Sequence, residues 1–196
     1  AMALGRLHKV DALVWGEVGV TAALFREKLG DWAAIDQRAE IAERWAIWRE
    51  EKARRLNERS DVGIGSPAVF DALNKTAPDD AIIAVDVGNN TYSFGRYFEC
   101  KDNAVLMSGY LGSIGFSLPA AMGAWAATQG TDPRFQGRKV ISISGDGGFG
   151  QYLAEVTTIA KYKMNTTHVL LNNSQLGKIS KEQRNAHFPV WHTEMH

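Results

Sequence analysis

Short apolar runs, many of them β-branched, recur along the chain, and helical patterns fill the intervals between them. The runs predict strands at Val10–Trp15, Ala81–Val87, Ala104–Met107, Lys139–Ser144 and His168–Leu171. Spacing of three to four predicts helices over Val18–Leu29, Trp32–Asn57, Pro67–Thr76, Ile114–Thr128 and Gln151–Tyr162. Asp31 and Ser66 stand where N-caps belong, and Pro67 suits a first helical position. This alternation implies an α/β fold of three layers, a mainly parallel sheet with helices on both faces and right-handed crossovers.

Two places resist a single complete domain. The strand predicted at Val10–Trp15 has no upstream partner, and the long charged helix followed by "SDVGIGSP" (Ser60–Pro67) reads as a connector. At the other end, "PVWHTEMH" follows the last predicted strand by one element. The expected organisation is residues 1–60 as the end of a preceding domain plus a helical connector. Residues 61–196 then form a second domain whose pattern stops short of a full doubly wound sheet. Ala1-Met2 reads as a tag remnant.

Composition narrows the partners. The formal net charge is +0, from 22 basic and 22 acidic residues, so electrostatics point to neither nucleic acid nor a membrane surface. The mixed charges of Glu40–Arg59 fall at helical spacing and read as a solvated face. A lone Cys100 excludes an internal disulfide and fits a reducing compartment. No apolar stretch reaches spanning length and no signal peptide is evident, so the expectation is cytoplasmic.

Candidate chemistry gathers at three turns that follow apolar runs: "DVGNNT" (Asp86–Thr91), "GDGGFG" (Gly145–Gly150) and "NNSQLG" (Asn172–Gly177). Ligands of open α/β sheets collect at the carboxyl ends of strands, where such turns lie. "GDGGFG" satisfies the dinucleotide pattern G-x-G-x-x-G, yet the next run ends in Asn172-Asn173 rather than in an acidic residue for ribose hydroxyls. The carboxylate of Asp146 would also stand unneutralised beside a pyrophosphate. A metal uses both features. Mg²⁺ accepts few protein ligands when phosphate oxygens complete its shell. Asp146 would give a carboxylate oxygen, Asn173 an amide oxygen and Gln175 a backbone carbonyl. Gly147 and Gly148 let the chain come close, and the N–H groups after them face phosphate.

GDG, then 24 residues from Gly148 to Leu171, then NN resembles the signature of the thiamin-diphosphate enzymes related to pyruvate oxidase, acetolactate synthase and pyruvate decarboxylase. "YLGSIGFSLPAAMGA" (Tyr110–Ala124) resembles the family segment beneath the aminopyrimidine ring, and "IIAVDVGNN" its strand and turn beside the diphosphate. From about Ile64 onward the chain resembles the first two-thirds of the diphosphate-binding domain; Ala3 to about Asn57 more loosely resembles the end of the family's middle domain.

The resemblance implies roles residue by residue. Asp146, Asn173 and Gln175 would hold Mg²⁺. Gly147, Gly148 and Phe149 would pass the diphosphate close to backbone N–H groups, with Gly88, Asn89 and Asn90 lining it from the first turn. The Gly112 carbonyl would accept a bond from the 4′-amino group, and Ile114 would wedge the cofactor into its bent form. Lys178, Ile179 and Glu182 would face a 2-keto acid such as pyruvate. Glu182 stands where the pyruvate-oxidase branch has a glutamate, whereas Lys178 replaces a residue that is commonly aromatic or apolar. The family's activating glutamate belongs to another domain, usually of a neighbouring subunit, so this chain alone is expected to bind cofactor with negligible turnover. A homo-oligomer, dimer or tetramer, is implied, and FAD is possible in the parent enzyme. Two alternatives stand beside this reading: a Rossmann-type dinucleotide-binding oxidoreductase domain and a non-catalytic assembly module.

Bland roles attach to several residues. Glu155 is expected to be structural, and His192 with His196 has helical zinc-pair spacing but no third ligand, which favours an irregular tail. Trp45 and Trp48 are expected to pack against a missing domain or a neighbour.

Overall fold

The computed structural model describes residues 4–58 and 63–195. The first part of the Ser60–Pro67 connector, and His196 of the histidine pair, lie outside the described residues. Two compact units are distinguished, one reaching to Ile47 and the other starting at Trp48.

In the first unit, α1 (Val18–Leu29) begins where the Glu17 side chain accepts a hydrogen bond from the Val20 N–H at 2.7 Å. It ends at Gly30, whose φ of 55° suits a helix stop. No residue of α1 is buried. Val10–Trp15 forms no strand, and Trp15 is 83% exposed. An apolar run becomes a strand only when a neighbour takes its N–H and C=O groups, and among the described residues none does. The helix predicted from Trp32 starts later, as α2 (Arg38–Leu56). Asp36, rather than Asp31, marks its start: Asp36 Oδ1 accepts from the Arg38 N–H at 3.0 Å.

The second unit holds a four-stranded sheet in the order β2–β1–β3–β4, parallel throughout: β1 (Ile82–Val85), β2 (Ala104–Met107), β3 (Val140–Gly145) and β4 (Thr166–Leu171). Helices α3 (Ser66–Thr76), α4 (Asn89–Tyr97) and the end of α2 cover one face, where Phe70, Phe94, Tyr97, Ile83, Val85, Ile141 and Ile143 form the core. Trp48, partly buried, packs against this core. Its ring stacks on Tyr97 at 6.3 Å and its Nε1–H donates to the Arg96 carbonyl, so it serves its own unit. Helix α5 (Ser117–Thr128) covers the other face, its Ala121 and Ala124 against Ile82, Ala84 and Val140. Such small residues bring a helix close to a sheet.

Several helices depart from the sequence pattern. Ser66 opens α3, but Gly65 is its N-cap and Ser66 Oγ instead accepts from Ser93 Oγ. Helix α5 starts at Ser117 rather than Ile114, because Gly115 takes a φ of 91° that no helix tolerates. The Gln151–Tyr162 pattern splits into α6 (Asp146–Gln151) and α7 (Glu155–Lys161). Between them the backbone closes three-residue bonds, Tyr152 N–H to the Phe149 carbonyl and Glu155 N–H to the Tyr152 carbonyl. The turn at Asn89 continues into α4, and α8 (Gly177–Asn185) follows the Asn pair. The tail after α8 is more ordered than its sequence suggests: Gln175 and Glu194 form an antiparallel bridge. No helix among the described residues is long and apolar enough to cross a membrane.

Candidate cofactor site

The carboxyl ends of β1, β3 and β4 open into one cavity of about 740 Å³. Gly88, Asn89 and Asn90 line it from the turn after β1, and Gly112 and Ile114 from the loop before α5. Asp146, Gly147 and Gly148 line it from the start of α6; Asn173, Gln175, Lys178 and Ile179 line it from the turn after β4 and the start of α8. Parallel strands with crossover helices deliver successive turns to the same edge, which is why residues far apart in sequence meet here.

Two candidates stand apart. The Phe149 ring stacks on His168, centroids 4.6 Å apart, and does not line the cavity. Glu182 is exposed and pairs with Lys178 at 2.7 Å.

The loop after β4 meets the loop after β3 at a single N–H. The Gln175 N–H donates to Asp146 Oδ2 at 3.2 Å and to Asn173 Oδ1 at 3.3 Å. A carboxylate oxygen and an amide oxygen thus converge beside the Gln175 backbone. The Gln175 carbonyl accepts from the Gly177 N–H and keeps a second lone pair. These are hard oxygen donors, few in number, as Mg²⁺ beside a phosphate requires. Its side chain is anchored from α8, since buried Ser180 donates to Gln175 Oε1 at 3.3 Å. Behind the turn, the Leu176 N–H donates to the Thr193 carbonyl at 2.7 Å and the Met195 N–H to the Ser174 carbonyl. Among the described residues, no cluster of three or more His, Cys, Asp and Glu offers an alternative metal centre. His192 is exposed, with its ring edge-on to Trp191.

Glycines permit the loops to approach this closely. A Cβ on Gly147 would sit 2.5 Å from Leu176 Cδ2, and one on Gly148 would sit 2.6 Å from Asp86 Oδ2. One on Gly177 would meet the amide nitrogen of Asn89 at 2.9 Å. In each case the neighbour is another loop of the same site.

Asp86 carries more than its place in "DVGNNT" suggests. Its side chain is 1% exposed, and Oδ1 accepts from the Val87 and Gly115 N–H groups at 2.7 and 2.8 Å. Oδ2 accepts from Ser117 Oγ at 3.2 Å. Its backbone carbonyl takes Asn90 Nδ2 and Thr91 Oγ1. One aspartate therefore joins the first turn, the Ile114 loop and the start of α5, and abuts Gly148. The signal was an acidic residue closing a wholly apolar run, where burial demands partners. Next to it on the α5 face, His168 bridges two buried serines, Nδ1 to Ser142 Oγ at 3.0 Å and Nε2 to Ser144 Oγ at 3.1 Å. Burial lowers the His168 pKa, partly opposed by the charge of Asp86. The Lys178 pKa is raised, chiefly by its hydrogen bond to Glu182. Cys100 is exposed and its thiol pKa is raised by partial burial, the reverse of an activated nucleophile.

Comparison with known proteins follows the same loops. The family model "Thiamine pyrophosphate enzyme, C-terminal TPP binding domain" matches residues 86–194. The putative thiamine pyrophosphate-containing protein YdaP of Bacillus subtilis is 37% identical over 113 residues, which is 57% of this chain and 18% of that protein. An acetolactate synthase large subunit of Parasynechococcus marenigrum is 28% identical over 92% of this chain and 28% of its own length. A pyruvate oxidase of Lactiplantibacillus plantarum is 25% identical over 92% of this chain and 29% of its own length. The chain thus spans under a third of each of these relatives.

Proposed function

Since the chain belongs to the thiamine pyrophosphate enzymes through their C-terminal TPP binding domain, we propose that its cavity holds thiamin diphosphate through one Mg²⁺ and serves an enzyme that acts on 2-keto acids. The observation that most supports this is the convergence of Asp146 Oδ2 and Asn173 Oδ1 on the Gln175 N–H. The names of the acetolactate synthase and pyruvate oxidase relatives support the substrate class.

In this reading Asp146, Asn173 and the Gln175 carbonyl hold the cation, and the cation holds the diphosphate. Gly88, Asn89 and Asn90 face the diphosphate from the β1 turn. The backbone N–H groups from Gly147 to Phe149 approach it from α6, whose first turn carries the positive end of the peptide dipoles. The Gly112 carbonyl orients the aminopyrimidine amine, and Ile114 supports the bend of the cofactor. When bound, thiamin diphosphate supplies the electron sink that 2-keto acid decarboxylation requires. Ile179, Lys178 and Glu182 bound the substrate side. Residues 61–196 form the diphosphate-binding domain, and residues 1–60 the end of a middle domain with its connector. The activating glutamate comes from another domain, and a homo-oligomer brings it to the cavity. The exposed Tyr110 and Leu111 beside Gly112 supply apolar surface for that contact.

Calorimetric titration of thiamin diphosphate, with Mg²⁺ and then with EDTA, tests the assignment. The expected heat requires Mg²⁺ and disappears in Asp146→Ala. Binding that survives both EDTA and the substitution would refute it.

A further inference from the structure

Two of the described residues lining the cavity are ionisable, Asp146 and Lys178. The proposed metal site accounts for Asp146; Lys178, on the substrate side, has no part in it. Lys178 is the second residue of α8. Lys178 lines the cavity, and its ammonium meets two residues outside that lining, 2.7 Å from Glu182 Oε1 and 5.5 Å from the centre of the Tyr92 ring, which sets it at the rim. Glu182 and Tyr92 are exposed and neither lines the cavity.

A cation at the mouth of an anion-binding cavity attracts the charge of a ligand, and the chemistry decides which charge. Loss of CO₂ draws the electron pair out of the reacting carboxylate. A lysine paired with that carboxylate would stabilise the ground state more than the transition state and slow the step. The departing carboxylate is therefore a poor partner for Lys178. The rim suits the opposite end of an extended substrate. The existing contact with Glu182 is a half-exposed i, i+4 pair, a weak class of interaction, so a ligand oxyanion exchanges with it readily. Tyr92, on α4, gives the ammonium a cation–π neighbour that holds it toward the mouth.

Resting on the thiamin diphosphate assignment, we propose that Lys178 determines specificity: the substrate is a 2-keto acid bearing a second oxyanion at its far end, and Lys178 binds that second group.

Calorimetry tests this on the protein loaded with Mg²⁺ and a C2-blocked analogue of thiamin diphosphate, so that no acid is consumed. Pyruvate and 2-oxoglutarate are titrated into the parent, Lys178→Met and Lys178→Arg. The dicarboxylate should bind roughly tenfold tighter than pyruvate, the scale of one charge-assisted hydrogen bond. Lys178→Met should erase that margin, and Lys178→Arg should keep most of it. Equal affinity for the two acids in the parent, or binding of neither, would overturn the proposal. So would a Lys178→Met protein that loses cofactor affinity as much as dicarboxylate affinity, which would give the lysine to the diphosphate. Failure of the underlying assignment shows separately, as no Mg²⁺-dependent cofactor heat before any acid is added.

Discussion

On one face of the sheet Ile83, Val85, Ile141 and Ile143 meet Phe70, Phe94 and Tyr97. On the other face lie Ala84 of β1, Asp86 just past its end, Ser142 and Ser144 of β3 and His168 of β4, with the alanines of α5 packed nearby. The period of two in a strand lets one sequence serve both needs, since odd and even residues never share a face. The first face is large, apolar and aromatic. The second is small and polar toward the carboxyl ends, because its last residues must anchor loops rather than fill volume. Core stability and site geometry are thereby assigned to neighbouring residues with opposite orientations.

The largest expected effect probes the apolar face. Phe70→Ala removes a fully buried ring that meets Phe94 edge-on at 6.1 Å. It should cost about 3–5 kcal/mol in denaturant unfolding while cofactor affinity of the folded fraction changes little. A comparable loss of affinity would break the division between the faces. Asp86→Ala comes next and should show the reverse balance. It strips the Val87 and Gly115 N–H groups of their acceptor, at about 1–3 kcal/mol for each buried group left unpaired. Its cofactor affinity should fall further than that of Phe70→Ala. Stability without a binding defect would show that the turn and the Ile114 loop hold themselves.

A subtler effect concerns pH. Burial depresses the His168 pKa, so folding favours the neutral ring. Its contribution is complete above the unfolded pKa of about 6.5 and declines as pH falls toward the lower folded value, where the unfolded chain takes up the proton first. Melting temperatures between about pH 8 and pH 5 should fall less steeply in His168→Gln than in the parent. Parallel slopes would remove His168 from the account. The smallest effect lies outside both faces. Glu99 is paired with Arg49 and Lys52, and those bonds lower its pKa. Its stabilisation is present above about pH 4 and lost as acid protonates it, and Glu99→Gln should cost at most about 1 kcal/mol at neutral pH.

Sequence pattern located the sheet well, because β1 is a continuous apolar run, as a strand buried on both faces tends to be, and β3 alternates β-branched residues with Ser142 and Ser144. It also located the three turns, since GDG and NN each require residues that a generic loop does not. It misread Val10–Trp15, whose apolar character is local while strand formation depends on a partner elsewhere. It missed α4 and α8, which are rich in Asn, Ser, Gly and Lys and are held by tertiary bonds such as Asn90 to the Asp86 carbonyl. Asp86 itself was visible as a residue but not as a junction, because its partners Gly115 and Ser117 lie some thirty positions away. The departure at Lys178 was legible at once, and its rim position was not.

The bridge between Gln175 and Glu194 bears on synthesis. A ribosome releases Asp146 about fifty residues before Met195, an interval of roughly 2 to 10 s at ordinary elongation rates. Through that interval the β3 loop can fold on the finished strands, but the Asn173–Gln175 turn lacks the segment that backs it. The nascent chain would thus carry half of its proposed metal grip while growing and acquire the other half only when Thr193 to Met195 return. Capture of a cofactor before residues 193–195 have emerged is disfavoured by the order in which the residues appear.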